Sequence, residues 1–424
     1  MFGWEFPPHI SGGLGTACYG ITQGLLKQGV EVIFVVPKLF GGEDKHTIQM
    51  ISASDVSINV EQKMFHEFWD KLTYLNIYSN LIPYTSPEEF SKIAEEKIRH
   101  TESNTATLFS THYELSGEYG QDIMKEVARY AIVAAKVAND NTFDIIHAND
   151  WLTYPAGIAA RQVSGKPLII HVHATEFDRS GEQINQEVYD IEKQGMEAAD
   201  HIISVSEYTR QIIIERYGIN PDKISVVHNA ILSKPISRNA KKIKKTKQHI
   251  VTFLGRVTFQ KGPDYFVEAA NKVLKKNPNV HFVMAGNGDM LNRMIKRVAE
   301  LRISSRFHFT GFLKGDEVSD MYSISDVYVM PSVSEPFGIA PLEAMQQNVP
   351  VIISKQSGVA EVLNHVIKVD FWDTDALADA INGLLNYKTL SKNHKKKNND
   401  LLKQLTWDKA SEKIIKIYQN VCKN

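Results

Sequence analysis

Ile250-Val251-Thr252-Phe253-Leu254-Gly255-Arg256-Val257-Thr258-Phe259-Gln260-Lys261-Gly262 decides the fold. An apolar, β-branched run reads as a strand, Gly255 ends it, and a helical pattern follows from Pro263 to Leu274. The same strand-then-helix alternation recurs downstream through Val280–Ala285, Phe307–Thr310, Val327–Met330 and Val349–Ile353. An earlier series runs through Val30–Val36, Phe143–Ile146, Pro167–His171, His201–Val205 and Ile224–Val227. Alternation of this kind builds parallel β-α units, and two series imply two doubly wound α/β domains with ligands at the carboxyl ends of the strands.

Length agrees, since 424 residues exceed what one hydrophobic core supports. The expected organisation is a first domain over 1–232, a basic linker over 233–247, and a second domain over 248–407. A C-terminal helix at about 408–424 is expected to return to the first domain. Ser233–Lys247 holds seven Lys or Arg and no acid, which reads as a solvated linker; weak peripheral contact with an anionic membrane is the alternative. Lys388 to Lys397 is a second basic stretch, placed before the C-terminal helix. The region from about Phe40 to Glu118, with Phe65-His66-Glu67-Phe68-Trp69, is less regular and reads as an insertion. Met1-Phe2-Gly3-Trp4-Glu5-Phe6 reads as the tail of a first strand.

With 48 basic against 49 acidic residues the net charge is −1, which excludes a global pull toward nucleic acid. Cys18 and Cys422 are too few for a disulfide framework or a zinc cluster. Without an apolar run long enough to span a bilayer or a leader pattern, a cytoplasmic location is expected.

Charge is instead concentrated at strand ends. Arg256 and Lys261 follow Leu254, and such cations suit phosphate oxygens. Glu335-Pro336-Phe337-Gly338-Ile339-Ala340-Pro341-Leu342-Glu343 follows the strand Val327–Met330, and its two carboxylates suit the vicinal hydroxyls of sugars. The turn Pro336-Phe337-Gly338 is expected to lead into a helix whose N–H groups are placed to meet phosphates. Ser11-Gly12-Gly13-Leu14-Gly15-Thr16 precedes a helix read from Ala17 to Lys27, and its glycines either expose N–H groups to an anion or simply turn the chain. His147-Ala148-Asn149-Asp150-Trp151 and His171-Val172-His173 stand at strand ends of the first series. Asn149 or Asp150 also reads as a helix cap. Gly286-Asn287-Gly288 brings backbone near a nucleotide or forms a plain turn. Asp373-Thr374-Asp375 has a metal-binding pattern, yet its position at a helix start reads as capping.

These motifs resemble the retaining glycosyltransferases of the GT-B fold, family 4, and lean toward glycogen- and starch-synthase-like members. The match spans nearly the whole chain, with the E-x7-E pattern from Glu335 to Glu343 the most specific element. The resemblance implies a hexose, glucose first, moved from a UDP-sugar or ADP-sugar to a sugar or glucan acceptor without metal or cofactor. Arg256 and Lys261 would grip the diphosphate, Glu343 the ribose and Glu335 the hexose. Gly12 and Gly13 would lie against phosphate, His173 against the donor sugar, and Asp150 near the reacting centre on the acceptor side. Gly255, Gly286, Gly288, Phe337, Gly338 and Ile339 would complete the donor site. Two departures weaken the glycogen-synthase reading: His9-Ile10-Ser11-Gly12-Gly13-Leu14 stands where relatives often carry Lys-x-Gly-Gly-Leu, and Asn149-Asp150-Trp151 where they show His-Asp-Trp. Rival readings are transfer of another hexose to a lipid-linked or cell-surface glycan, a pyridoxal-phosphate phosphorylase, and a catalytically silent nucleotide-sugar binder.

Overall fold

The computed structural model describes residues 1–9, 12–43, 48–60, 109–111, 113–120, 123–232 and 248–423. The basic linker and the Phe65–Trp69 segment lie outside the described residues.

In chain order the strands are β1 (Ile33–Val36), β2 (Gln49–Ser52), β3 (Ile58–Val60), β4 (Phe109–Thr111), β5 (Ile146–Asn149), β6 (Leu168–Val172), β7 (His201–Ser204) and β8 (Ile224–Val226). The second series is β9 (His249–Leu254), β10 (Val280–Ala285), β11 (Phe307–Gly311), β12 (Val327–Met330), β13 (Val351–Ser354) and β14 (Ile367–Val369). β9 to β14 form one parallel sheet in the order β11-β10-β9-β12-β13-β14. In the first domain β1 pairs with β2 and β5 to β8 pair in sequence, all parallel. Phe2 joins the two groups, bridging Val35 on one side and Ala148 on the other. The expected first strand is therefore reduced to one bridging residue, held by Phe2 N donating to His147 O at 2.8 Å and Gly3 N donating to Val35 O at 3.0 Å. β3 and β4 make a separate antiparallel pair inside the expected insertion.

A parallel sheet must be covered on both faces, and alternate residues divide accordingly. Val35, Leu168, Ile170 and Ile202 pack toward the helices Ile123–Asp140 and Tyr154–Ser164. Phe34, Val36, Ile169 and Ile203 pack toward the helix Gly13–Lys27 and the C-terminal helix Trp407–Val421. Those two helices cross closely because Gly20 and Gly24 carry no side chain: a Cβ there would lie 2.1 Å from the Trp407 ring and 2.2 Å from Ser411 Oγ.

Several sequence expectations shift. The first helix starts at Gly13, not Ala17, so Gly13 and Gly15 are helical. The strand read as Phe143–Ile146 is β5, three residues later, which puts His147 and Asn149 inside the sheet. The strand read as Val349–Ile353 is Val351–Ser354, and the short β2 and β14 were not expected. Lys388 to Lys397 lies within its own helix, Lys388–Leu402, and the C-terminal helix spans Trp407–Val421 rather than about 408–424.

Candidate functional site

Strand order reverses direction between β9 and β12, and such a switch point leaves a crevice at the strands' carboxyl ends. The loops leaving these two strands carry the expected cations and carboxylates. Gly262, with φ +64, ends the turn Phe259–Lys261, and a Cβ there would lie 2.1 Å from Pro331 O. Val333 N donates to Gln260 O at 2.9 Å, tying the loops together.

This contact brings Lys261 Nζ to 2.5 Å from Glu335 Oε2, which also accepts a 3.1 Å bond from Ser332 Oγ. Glu335 is 6% exposed, and its backbone is held by Gln356 O and Gly358 N. The sequence reading gave these two side chains separate ligand groups; in the structure they neutralise each other. Arg256 is exposed and forms no hydrogen bond or ion pair among the described residues. Gly338 has φ +96, and a Cβ on it would come 3.1 Å from Glu335 Cγ, so the glycine keeps that carboxylate in place. Phe337 is buried and Val359 N donates to its carbonyl at 2.7 Å. Ile339 opens the helix Ala340–Gln346, its carbonyl accepting from Glu343 N at 3.1 Å. Glu335 and Glu343 share a neighbour: burial first, then both carboxylates, push the Tyr328 phenol well up.

Gly286 and Gly288 have an internal reason to be glycine. A Cβ on Gly286 would lie 1.8 Å from Gly255 O, and one on Gly288 would lie 2.3 Å from Val257 O. They let the loop after β10 lie on the loop after β9, where Val257 N donates to Asn287 O at 2.8 Å. Gly255, Gly12 and Gly13 face open space. Among the described residues no side chain caps the helix that begins at Gly13, which leaves its first N–H groups without a side-chain partner. Asp373 caps its helix by accepting from Ala376 N at 2.9 Å, and Asp375 pairs with Lys272 at 2.7 Å.

In the first domain the corresponding switch point lies between Phe2 and β5. Asp150 follows β5 with φ 65 and ψ 160, a region favourable only to glycine, and such strain is characteristic of functional sites. Its Oδ1 accepts from Trp151 N at 2.7 Å and lies 3.8 Å from Arg179 Nη1. Asp150 is thus both cap and buried acid. Burial pushes its carboxyl up, opposed by Arg179, the Trp151 N–H and, from the second domain, Arg256. Arg179 bonds Glu192 and Glu176 as well, and Glu192 also accepts from Tyr217. Tyr119 donates to Glu5, which is 7% exposed and adds a second carboxyl to the surroundings of Asp150. Sequence reading missed Arg179, Glu5 and Tyr119. Glu5 had one available signal, an acid just after a strand that ends at a switch point.

His173 Nε2 lies 3.1 Å from Asn149 Oδ1, while Asn149 Nδ2 donates to Phe2 O at 3.0 Å. The second bond orients the amide, so Oδ1 must accept and His173 carries its proton on Nε2. Burial lowers the His173 pKa to about 3, and the ring is neutral with Nδ1 as an acceptor.

The crevice is bounded by contacts between domains. Ser334 Oγ donates to Asp178 and lies 2.9 Å from Tyr208 Oη. Ser206 Oγ donates to Pro336 O at 2.5 Å, and Glu361 accepts from Tyr208 N at 2.7 Å and Glu207 N at 3.0 Å. The Glu335–Gly338 turn therefore touches both domains. Among the described residues no helix is long and apolar enough to cross a membrane.

Two facing Rossmann-like sheets with cations and carboxylates at their switch points define a GT-B fold. Residues 235–401 match the family described as glycosyl transferases group 1, and residues 122–232 match glycosyltransferase family 4. An uncharacterized glycosyltransferase of Methanocaldococcus jannaschii is 25% identical over 99% of this chain and 97% of its own length. Glycogen synthase of Mycobacterium tuberculosis is 24% identical over 86% of this chain and 79% of its own. Among solved structures, the Anabaena protein HepE in complex with UDP and glucose superposes with a TM-score of 0.69 at 16% identity, over 99% of this chain and 98% of that one. The chain belongs to the family 4 glycosyltransferases of GT-B fold.

Proposed function

We propose that the protein moves a hexose, glucose first, from a UDP- or ADP-sugar to a sugar or glucan acceptor, with retention and without a metal ion. The observation that carries this reading is the Lys261–Glu335 ion pair beside the uncommitted Arg256, at the carboxyl ends of β9 and β12. The donor diphosphate takes Arg256, a share of Lys261, and the uncapped N–H groups at Gly12 and Gly13. Glu335 and Glu343 accept from hexose and ribose hydroxyls, and His173 Nδ1 accepts from the hexose. The bond from the anomeric carbon to the phosphate oxygen breaks with its electron pair on the phosphate. The acceptor oxygen then closes on the same face and passes its proton to the departing phosphate. Asp150 and Glu335 are committed to Arg179 and Lys261, which supports this front-face path over a covalent carboxylate.

Stabilising the departing charge is the main task, and one such contact is worth about 10² to 10³ in rate. Lys261→Ala should lower turnover by that factor. The assay is transfer from UDP-glucose, ADP-glucose, UDP-galactose and GDP-mannose to glycogen and malto-oligosaccharides, with the product anomer read by NMR. Near-normal turnover in Lys261→Ala, or an inverted product, defeats the reading.

A further inference from the structure

The C-terminal helix reaches the expected sugar site through a buried polar chain. Tyr418 Oη lies 2.5 Å from His147 Nδ1, and His147 Nε2 lies 3.1 Å from His171 Nδ1. His171 stacks on His173 with ring centroids 4.3 Å apart and planes 22° apart. Tyr418, His147 and His171 are 9%, 2% and 1% exposed, so water does not substitute for a lost partner.

Counting protons sets the direction of the chain. If His147 donated to Tyr418, the hydroxyl proton and His171 Nε2 would both lack partners. If Tyr418 donates to His147 Nδ1, then His147 Nε2–H donates to His171 Nδ1, and only His171 Nε2 is unmatched, as found. The second arrangement leaves fewer buried groups unsatisfied. It makes Tyr418 the group that holds His147, and through it His171, in one tautomer and one ring orientation.

We infer that Tyr418 is a positioning residue for the transferase site: its hydroxyl, through His147 and His171, orients the face on which His173 is stacked. This rests on the reading that His173 contacts the donor hexose. The C-terminal helix, which follows the nucleotide-side domain in sequence, thereby completes the sugar-side wall of the other domain.

Tyr418→Phe in the full chain tests it, since the ring stays and only the hydroxyl goes. With UDP-glucose and malto-oligosaccharide, kcat should fall about tenfold, the equivalent of one hydrogen bond, with donor KM within about twofold. Imidazole ¹⁵N spectra should show His147 and His171 passing from single tautomers to averaged ones. Tyr130→Phe, which deletes a buried 2.6 Å bond to Val35 O outside the stack, should lower Tm without that spectral change. His147→Gln should give the same kcat loss and averaged His171, which covers a misfolded Tyr418→Phe. Unchanged kcat or unchanged tautomers in Tyr418→Phe, alongside reduced turnover in His173→Ala, overturn the inference and leave the transferase reading standing. Full turnover in His173→Ala removes the role of His173 in that reading and the inference with it.

Discussion

Lowering the pH from 7.5 to 5.5 should destabilise this protein through its stacked histidines. Burial holds His147 and His171 well below the ordinary value of 6.5 and His173 at about 3. For such a base the unfolded chain binds the proton and the folded chain does not. Stability is therefore complete above 6.5 and is lost as pH falls from 6.5 toward the folded values. Each imidazole held neutral costs up to about 1.4 kcal/mol per pH unit well inside that window. Buried acids oppose them, since burial also pushes up the carboxyls of Asp150, Asp178 and Glu192. Glu192 is pushed up to about 7 by burial, so the folded state takes its proton first and regains about 1.4 kcal/mol per unit below 7. The net loss of stability on acidification is what remains of the histidine term after these acids are subtracted. Urea unfolding at pH 7.5, 6.5 and 5.5 measures it, and His171→Asn isolates one member. That variant should be less stable at pH 7.5 yet lose about 1.4 kcal/mol less per unit on acidification. An identical slope in wild type and variant would show that His171 is not held neutral by the fold, and the proton accounting for the stack would fail.

Other perturbations separate binding from turnover. Glu335→Gln frees Lys261 from its partner, so UDP should bind as tightly or more tightly by calorimetry while transfer falls by about 10² or more; weaker UDP binding would contradict the division of labour between cations and carboxylates. Glu343→Ala should instead weaken UDP, and loss of activity without weaker binding would refute its ribose role. Gly262→Ala combines a positive φ with a Cβ 2.1 Å from Pro331 O, so it should cost about 1–3 kcal/mol, seen as a lower Tm, and weaken donor binding by displacing Lys261. Asp150→Gly relieves a strained backbone while removing the acid, so turnover should collapse with Tm held or raised; a Tm drop beyond the lost Trp151 bond would argue against strain.

The second sheet was legible because each strand is a short apolar run closed by a polar or glycine-rich turn, and Arg256, Lys261 and Glu335 sit directly after such runs. The first sheet was less so. A strand consisting of Phe2 alone carries no periodicity, and β14 is only Ile367-Lys368-Val369. β5 was displaced because Phe143 and Ile145 resemble strand residues while the polar His147 and Asn149 do not. Those polar side chains are in the sheet because each finds a buried partner, Tyr418 for one and Phe2 O for the other.

Partner choice across sequence distance explains the rest. Lys261 and Glu335 lie 74 positions apart, and each taken alone reads as a ligand group; only the fold reveals that Ser332 and Gly338 leave the carboxylate within reach of the ammonium. Tyr418 and His147 are 271 positions apart, with an entire domain between them in sequence. Gly286 and Gly288 read as space for a nucleotide or as a plain turn, and the fold adds an internal reason for them: a Cβ on either would strike Gly255 O or Val257 O. That packing fixes the loop bearing Arg256, so the glycines act on the site by holding a cation-bearing loop to its neighbour. On the proposed reading, a site whose Lys261–Glu335 pair is formed and whose loops are locked in this way is organised before the donor arrives, and electrostatic stabilisation of a leaving group needs that preorganisation.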